Sequence, residues 1–470
     1  MIKTNKIINL IISATLFVSI CVAEPSNTSN EVTKEQSNSD IVQADNVQAL
    51  FVEKLQGYLE KNDTDGAIAL FQELPEELSN DINLKSLLGA LYYSNGEFDN
   101  AIKVGREIVE KDSRNIDALE LLSMSYKAKG GTEARNAYKT LSDKILKNDP
   151  YNPTINVQKG DELALSKKWK QAQTYYGKAL RGDKNNISAL LGYAKMAYYL
   201  DDLKTANTFL ERILDIDPLN APALAYKGTI EFDKENFLTA SQYAEVALKI
   251  DPYNYDYWLD YGTYLRYQGR YDEAEKAWNK AIEIDPNYFL AYENLAGIYD
   301  EQNLFDKALE NYRNVIRTNP KYFYAYETTA ILEYHAGNYK EAIKYFQEAY
   351  KYNPSYSYSL MTAACYFKLK DPFNAKKILK AQMKKLNRGS VEYELVRFFH
   401  DSYSRNAEST LIRKINALES SNERGKMLFY MGLYNEIHGS EIIAQEFYSQ
   451  VLQVKAPMFF EYRIAEWGMK

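Results

Sequence analysis

The chain has 470 residues, 26% of them charged, with a formal charge of −7. That is more sequence than one hydrophobic core uses, and the acidic balance argues against nucleic acid as a general partner.

The amino terminus reads as an export signal. Lys3 and Lys6 precede an uncharged apolar run from Ile7 to Ile20, and Cys21-Val22-Ala23 offers small residues for cleavage before Glu24. The run is short for a membrane span. Cys21 also admits acylation after cleavage, as in a lipoprotein, although Ile20 stands where that signal expects Gly, Ala or Ser. Either reading exports the protein, into the periplasm or onto the outer membrane of a bacterial envelope. If Cys21 is lost, Cys365 is the one thiol left, so the mature chain can build no disulfide framework. Residues 24–44 are polar, rich in Ser and Asn and without periodicity, and read as a disordered tether.

From residue 45 to 389 the pattern is helical and repetitive, with about ten units. The first, 48–81, places Phe51, Leu55, Tyr58, Ala67 and Phe71 in phase. In the third, Gly130-Gly131 marks an extra loop. The clearest stretch is 217–354, where Pro218, Pro252, Pro286, Pro320 and Pro354 recur every 34 residues. Within 255–288, Trp258, Tyr261, Gly262 and Leu265 share one helical face. Gly269 breaks the helix, and Ala274, Trp278 and Ala281 share a face of the next. Pro286 then closes the unit. Residues 390–424 read as a divergent helical pair, and 425–470 as a final repeat followed by a helix that covers the exposed edge of the last unit.

These residues resemble the tetratricopeptide repeat, whose pattern is W-x2-L-G-x2-Y followed by Ala, an aromatic, Ala and Pro. Matching residues recur as Tyr292, Leu295, Ala296, Tyr299 and Ala308, and again as Tyr326, Ala330, Ala342, Phe346 and Ala349. The resemblance implies an all-α, right-handed superhelical solenoid that serves as a protein-binding scaffold or adaptor. The closing block from Phe429 to Gly468 looks like the end of envelope lipoproteins of this family that act as adaptors.

Catalytic constellations do not emerge. His335, His400 and His438 are scattered, and no metal, thiol-redox or phosphate-loop motif occurs. Neither enzyme activity nor a cofactor is expected.

The resemblance places a partner on the inner stripe of each first helix, at positions 2, 5, 9, 12 and 13. That stripe holds Lys195, Tyr198, Tyr199, Phe232, Arg266, Tyr267, Tyr334, Tyr358 and Met361, among others. Aromatic rings with polar tips suit a peptide or a partner protein. They also suit sugars, so a glycan-handling scaffold for polysaccharide export or cell-wall binding stands as the alternative. The Lys/Asn clamp by which some family members grip a terminal carboxylate is missing, since Leu191/Lys195 and Ala225/Thr229 stand in its places. Separately, Lys376, Lys377, Lys380 and Lys384 form a basic patch. It is either a solvated convex face or a contact for an anionic glycan or lipid surface.

Overall fold

The computed structural model describes residues 50–401 and 405–469, and every regular element among them is helical. The residues divide into two compact units, the first ending at Ala223 and the second beginning at Leu224.

In the first unit the hairpins run Ile82–Ser94 with Phe98–Lys111, Ile116–Lys129 with Thr132–Asn148, Pro153–Leu165 with Trp169–Gly182, and Ile187–Tyr199 with Leu203–Ile216. Asn115, Asn152 and Asn186 cap their first helices, each side chain accepting a backbone N–H. Two expectations need correction here. The first repeat has no full second helix. Thr64–Leu70 passes into a 3-10 turn, Phe71–Glu73, and Pro75 precedes a four-residue helix, Glu76–Ser79. A proline has no N–H to continue the ladder. The third repeat, three residues longer than the 34-residue unit, does not form the extra loop expected at Gly130-Gly131 either. Gly130 and Gly131, at φ 71° and 84°, close the turn in two residues, and the second helix lengthens to 17.

The second unit continues with Phe237–Ile250, Tyr255–Tyr267, Tyr271–Ile284, Phe289–Glu301, Phe305–Thr318, Phe323–His335, Tyr339–Tyr352, Tyr356–Lys368 and Pro372–Met383. The 34-residue period is visible in the backbone itself. Lys167, Asp201, Glu235, Gly269, Asn303 and Gly337 all take positive φ between the two helices of a hairpin. Only two are glycine, so the turn is imposed on the others by the helices it joins. The same period holds in the packing: Ala172 and Ala206 in the first unit, and Ala240, Ala274, Ala308 and Ala342 in the second, are fully buried.

Gly262 shows why those positions are small. Trp278 is fully buried, and its indole N–H donates to the Leu259 carbonyl at 3.1 Å. A Cβ on Gly262 would lie 2.5 Å from Trp278 Nε1.

After Met383 the array stops being a simple stack. Val391–Asp401, Arg405–Asn416, Ser421–Ile437 and Glu441–Val451 follow. Ser421–Ile437 packs back on Tyr356–Lys368. Tyr430 Oη lies 3.1 Å from the Ser357 carbonyl, and Lys368 pairs with Glu436 at 2.6 Å. Every residue from Ser357 to Cys365 is consequently buried. The last helix, Glu461–Gly468, does more than cover the edge of the final repeat. It also reaches helices Phe289–Glu301 and Phe323–His335, on repeats well before its own. The fold is thus an all-α array of helix–turn–helix repeats, with a carboxy-terminal segment that turns back onto it.

Candidate protein-binding surfaces

The inner-stripe residues fall in both units. In the first, Tyr199 is 49% exposed and stacks on Trp169, ring centroids 4.6 Å apart, with Tyr198 edge-on at 5.5 Å. Lys195 lies beside them half-buried. Burial lowers its ammonium, and Asp161 opposes that shift.

In the second unit Phe232 and Tyr267 meet edge-to-face at 5.0 Å, with Tyr264 and Phe237 completing the cluster. Tyr264 is buried and Tyr267 is 55% exposed, so the cluster has a fixed base and an open ring. Arg266 is tied to Glu301, which leaves it less free for a ligand carboxylate than the sequence implies. Carboxylates line this face. Burial raises Glu293 and Glu327, and burial with the nearby charge of Asp256 pushes Asp260 up to about 7.

Tyr334 requires correction. It is 8% exposed, and Tyr358 and Met361 on the same stripe are also buried. Their face is covered by the chain's own carboxy terminus. Phe460 stacks on Tyr358, centroids 5.8 Å apart and planes within 8°. The Arg463 guanidinium forks onto both carboxylate oxygens of Asp300. Trp467 stacks on His335 at 4.0 Å and meets Phe305 edge-on at 5.7 Å. Glu461 is fully buried. Its Oε1 lies 2.8 Å from Tyr430 Oη, and its Oε2 has no hydrogen-bond partner. Burial pushes this carboxyl up to about 7. Sequence reasoning missed Asp300, Phe460, Arg463 and Trp467. The only available signal was an arginine between aromatic residues in a terminal helix that still carries apolar side chains.

The basic patch is on the opposite kind of surface. Lys376, Lys377, Lys380 and Lys384 are all exposed and form no ion pair among the described residues. His335 is engaged by Trp467, His400 contacts Asp401 at 2.6 Å, and His438 contacts the Tyr434 carbonyl at 2.7 Å. Among the described residues no cluster could hold a metal ion, and no helix is long and apolar enough to cross a membrane. Cys365 is a buried free thiol whose pKa burial raises. Cys21 lies outside the described residues.

Family models for the tetratricopeptide repeat match residues 262–303, 294–359 and 328–372. Residues 262–372 are tetratricopeptide repeats. The hairpins outside the matched stretch keep the same turn and the same buried alanine, from Lys167 and Ala172 onward. No curated protein matches the chain in sequence. Among solved structures, it is similar to PilF of Pseudomonas aeruginosa, with 23% identity and a TM-score of 0.36, over 45% of this chain and 96% of that one. YrrB, described as a TPR protein with an unusual peptide-binding site, is 21% identical with a TM-score of 0.32, over 39% of this chain and 94% of that one. Human IFIT1, solved as a dimer with PPP-AAAA, is 19% identical with a TM-score of 0.39, over 80% of this chain and 91% of that one. None of these likenesses is close enough to bring a ligand to this chain.

Proposed function

We propose that this protein is a non-catalytic scaffold that holds a partner protein or peptide on the inner faces of its repeats, and that it works in a bacterial envelope after export. The match to the tetratricopeptide repeat supports protein binding in general. One observation carries the finer reading: the second unit already grips a helical segment, its own residues 460–467, with stacked rings and a forked ion pair. A face that holds one such segment has the chemistry to hold others. The open rings of Tyr199 and Tyr267 extend that chemistry to surface the segment does not cover.

The test is affinity capture from envelope extract with three baits: wild type, Tyr199→Ala with Tyr267→Ala, and Lys376→Ala with Lys380→Ala. Interface energy concentrates in a few aromatic and arginine residues. Losing both tyrosines should therefore weaken capture of a specific partner by about 1–3 kcal/mol per ring, roughly fivefold to 150-fold each, while the lysine variant keeps it. Loss only in the lysine variant would move the binding surface to the basic patch and favour an anionic partner. Export has its own check. A processed chain beginning at unmodified Glu24 supports simple cleavage, whereas an acylated Cys21 amino terminus, abolished by Cys21→Ala, supports the lipoprotein form.

A further inference from the structure

The carboxy-terminal segment is held as a ligand is held. Its helix, Glu461–Gly468, has eight residues. Isolated helices of that length are not stable in water, so its form depends on the face that receives it. Glu461, Ile464 and Ala465 pack it against the preceding helices, and three further anchors reach the inner face of the repeats. Phe460 lies flat on Tyr358, Arg463 forks onto Asp300, and Trp467 lies on His335. Residues 460, 463 and 467 are spaced i, i+3, i+7, which places them on one side of a helix. None of these contacts needs the segment to be joined to the chain that binds it.

The join is held by a hydrogen bond, the Met458 N–H donating to Asn422 Oδ1 at 2.8 Å, and is otherwise strained. Ala456 takes φ 51°, in the left-handed region, immediately before Pro457, and Met458 is 87% exposed. A side chain at positive φ costs roughly 1 kcal/mol, and a residue before proline is restricted further. The tether therefore does not favour the seated position by its own conformation.

The receiving face discriminates by charge and shape. Asp300 is nearly buried and accepts a planar fork, which arginine supplies and lysine does not. Glu293 and Glu327 lie half-buried on helices of the same unit and disfavour an acidic visitor.

We propose that this inner face is a docking surface for a partner protein's helix that presents an aromatic residue, an arginine three residues later and a second aromatic four residues after that. Residues 457–468 occupy the surface until such a helix displaces them. The inference rests on the scaffold reading above and names the chemistry of the partner. Because the occupant is tethered, it acts at a high effective concentration, on the order of millimolar for a short linker. A partner must overcome that competition in the wild-type chain.

The test uses the full chain carrying Arg463→Ala and Trp467→Ala, which frees the face, and labelled synthetic peptides read by fluorescence anisotropy. One peptide is residues 455–470. A second carries Phe, Arg and Trp at the same spacing on an unrelated helical background, and a third carries the same three residues out of register. The freed chain should bind the first two at least tenfold more tightly than wild type does, and should reject the third. Adding Asp300→Asn to the freed chain should remove that binding.

A freed chain that keeps its helical circular dichroism yet binds none of the peptides would overturn the proposal, since the segment would then be a fixed part of the core. If the freed chain loses helical signal, wild type decides. Excess second peptide should speed amide hydrogen exchange in residues 457–468, and unchanged exchange would equally overturn the proposal. A wild-type chain that captures a partner through Tyr199 or Tyr267 while no peptide displaces the segment would leave the scaffold reading standing and remove only this one.

Discussion

Glu461→Gln should tighten the carboxy-terminal helix at neutral and alkaline pH and do little at acid pH. Glu461 is fully buried, and desolvation is the main cause that raises its carboxyl from the ordinary 4.5 to about 7. The groups facing it are the Tyr430 hydroxyl and, more distantly, the Lys426 ammonium from Ser421–Ile437, and Ser357 with the Tyr356 hydroxyl from Tyr356–Lys368. The Tyr430 hydroxyl lies near both Glu461 Oε1 and the Ser357 carbonyl, but it has one proton to give. A neutral Glu461 supplies the missing proton: its own O–H donates to Tyr430, and Tyr430 donates to Ser357. An ionised Glu461 competes with Ser357 for a single donor. The sign follows from linkage. The seated form binds the proton more tightly than the released form, so stability is full below about pH 4.5 and is lost as pH rises through 7. That loss amounts to about 3 kcal/mol at roughly 1.4 kcal/mol per pH unit. Gln keeps the donor and removes the ionisation. Hydrogen exchange over residues 457–468, compared between variant and wild type at matched pH, reads the difference directly. The difference should grow by about 3 kcal/mol, a factor of about a hundred in protection, between pH 4.5 and pH 8. A difference that does not change with pH would refute the reasoning, because it would show that Glu461 is charged, or neutral, in both forms.

Gly262→Leu should lower stability by several kcal/mol, because a Cβ there already meets the fully buried Trp278 at 2.5 Å and overpacking has little room to relax; an unchanged thermal midpoint would contradict this packing. Cys365 should resist a water-soluble thiol reagent in the folded chain and react only on denaturation, since it is buried and its thiolate is disfavoured; rapid labelling under native conditions would show that Tyr356–Lys368 opens readily.

What the sequence made legible is what its period encodes. A 34-residue spacing of proline, alanine and glycine is a local rule repeated, and the backbone repeats with it. Ala240, Ala274, Ala308 and Ala342 are buried where two helices touch, and Gly269 and Gly337 take the positive φ their turns require. The failures come where the chain departs from its own rule. Pro75 interrupts a second helix that Ala67 and Phe71 had begun in phase. Gly130-Gly131 reads as added loop, yet two residues at positive φ make the tightest hairpin turn of the first unit and pass the extra length into the helix.

The candidate site was half legible for a physical reason that Tyr267 and Tyr334 make plain. Both lie on the inner stripe of the second unit, at neighbouring positions of their repeats, and the sequence treats them alike. Tyr267 is 55% exposed and Tyr334 is 8% exposed. Helical spacing fixes the direction a side chain takes from its own helix, but availability depends on whatever else reaches that face. Here Glu436 and Tyr448 of the carboxy-terminal helices lie beside Tyr334, while residues 460–467 cover Tyr358, and the contact that anchors them, Arg463 on Asp300, joins positions 163 apart. No periodicity relates those two residues, so no reading of the repeat could pair them. The open surface is therefore smaller than the stripe. In the first unit it centres on Tyr199 over Trp169, and in the second on Tyr267 over Phe232 and Tyr264. The covered part differs in kind, because it already shows which helix it accepts.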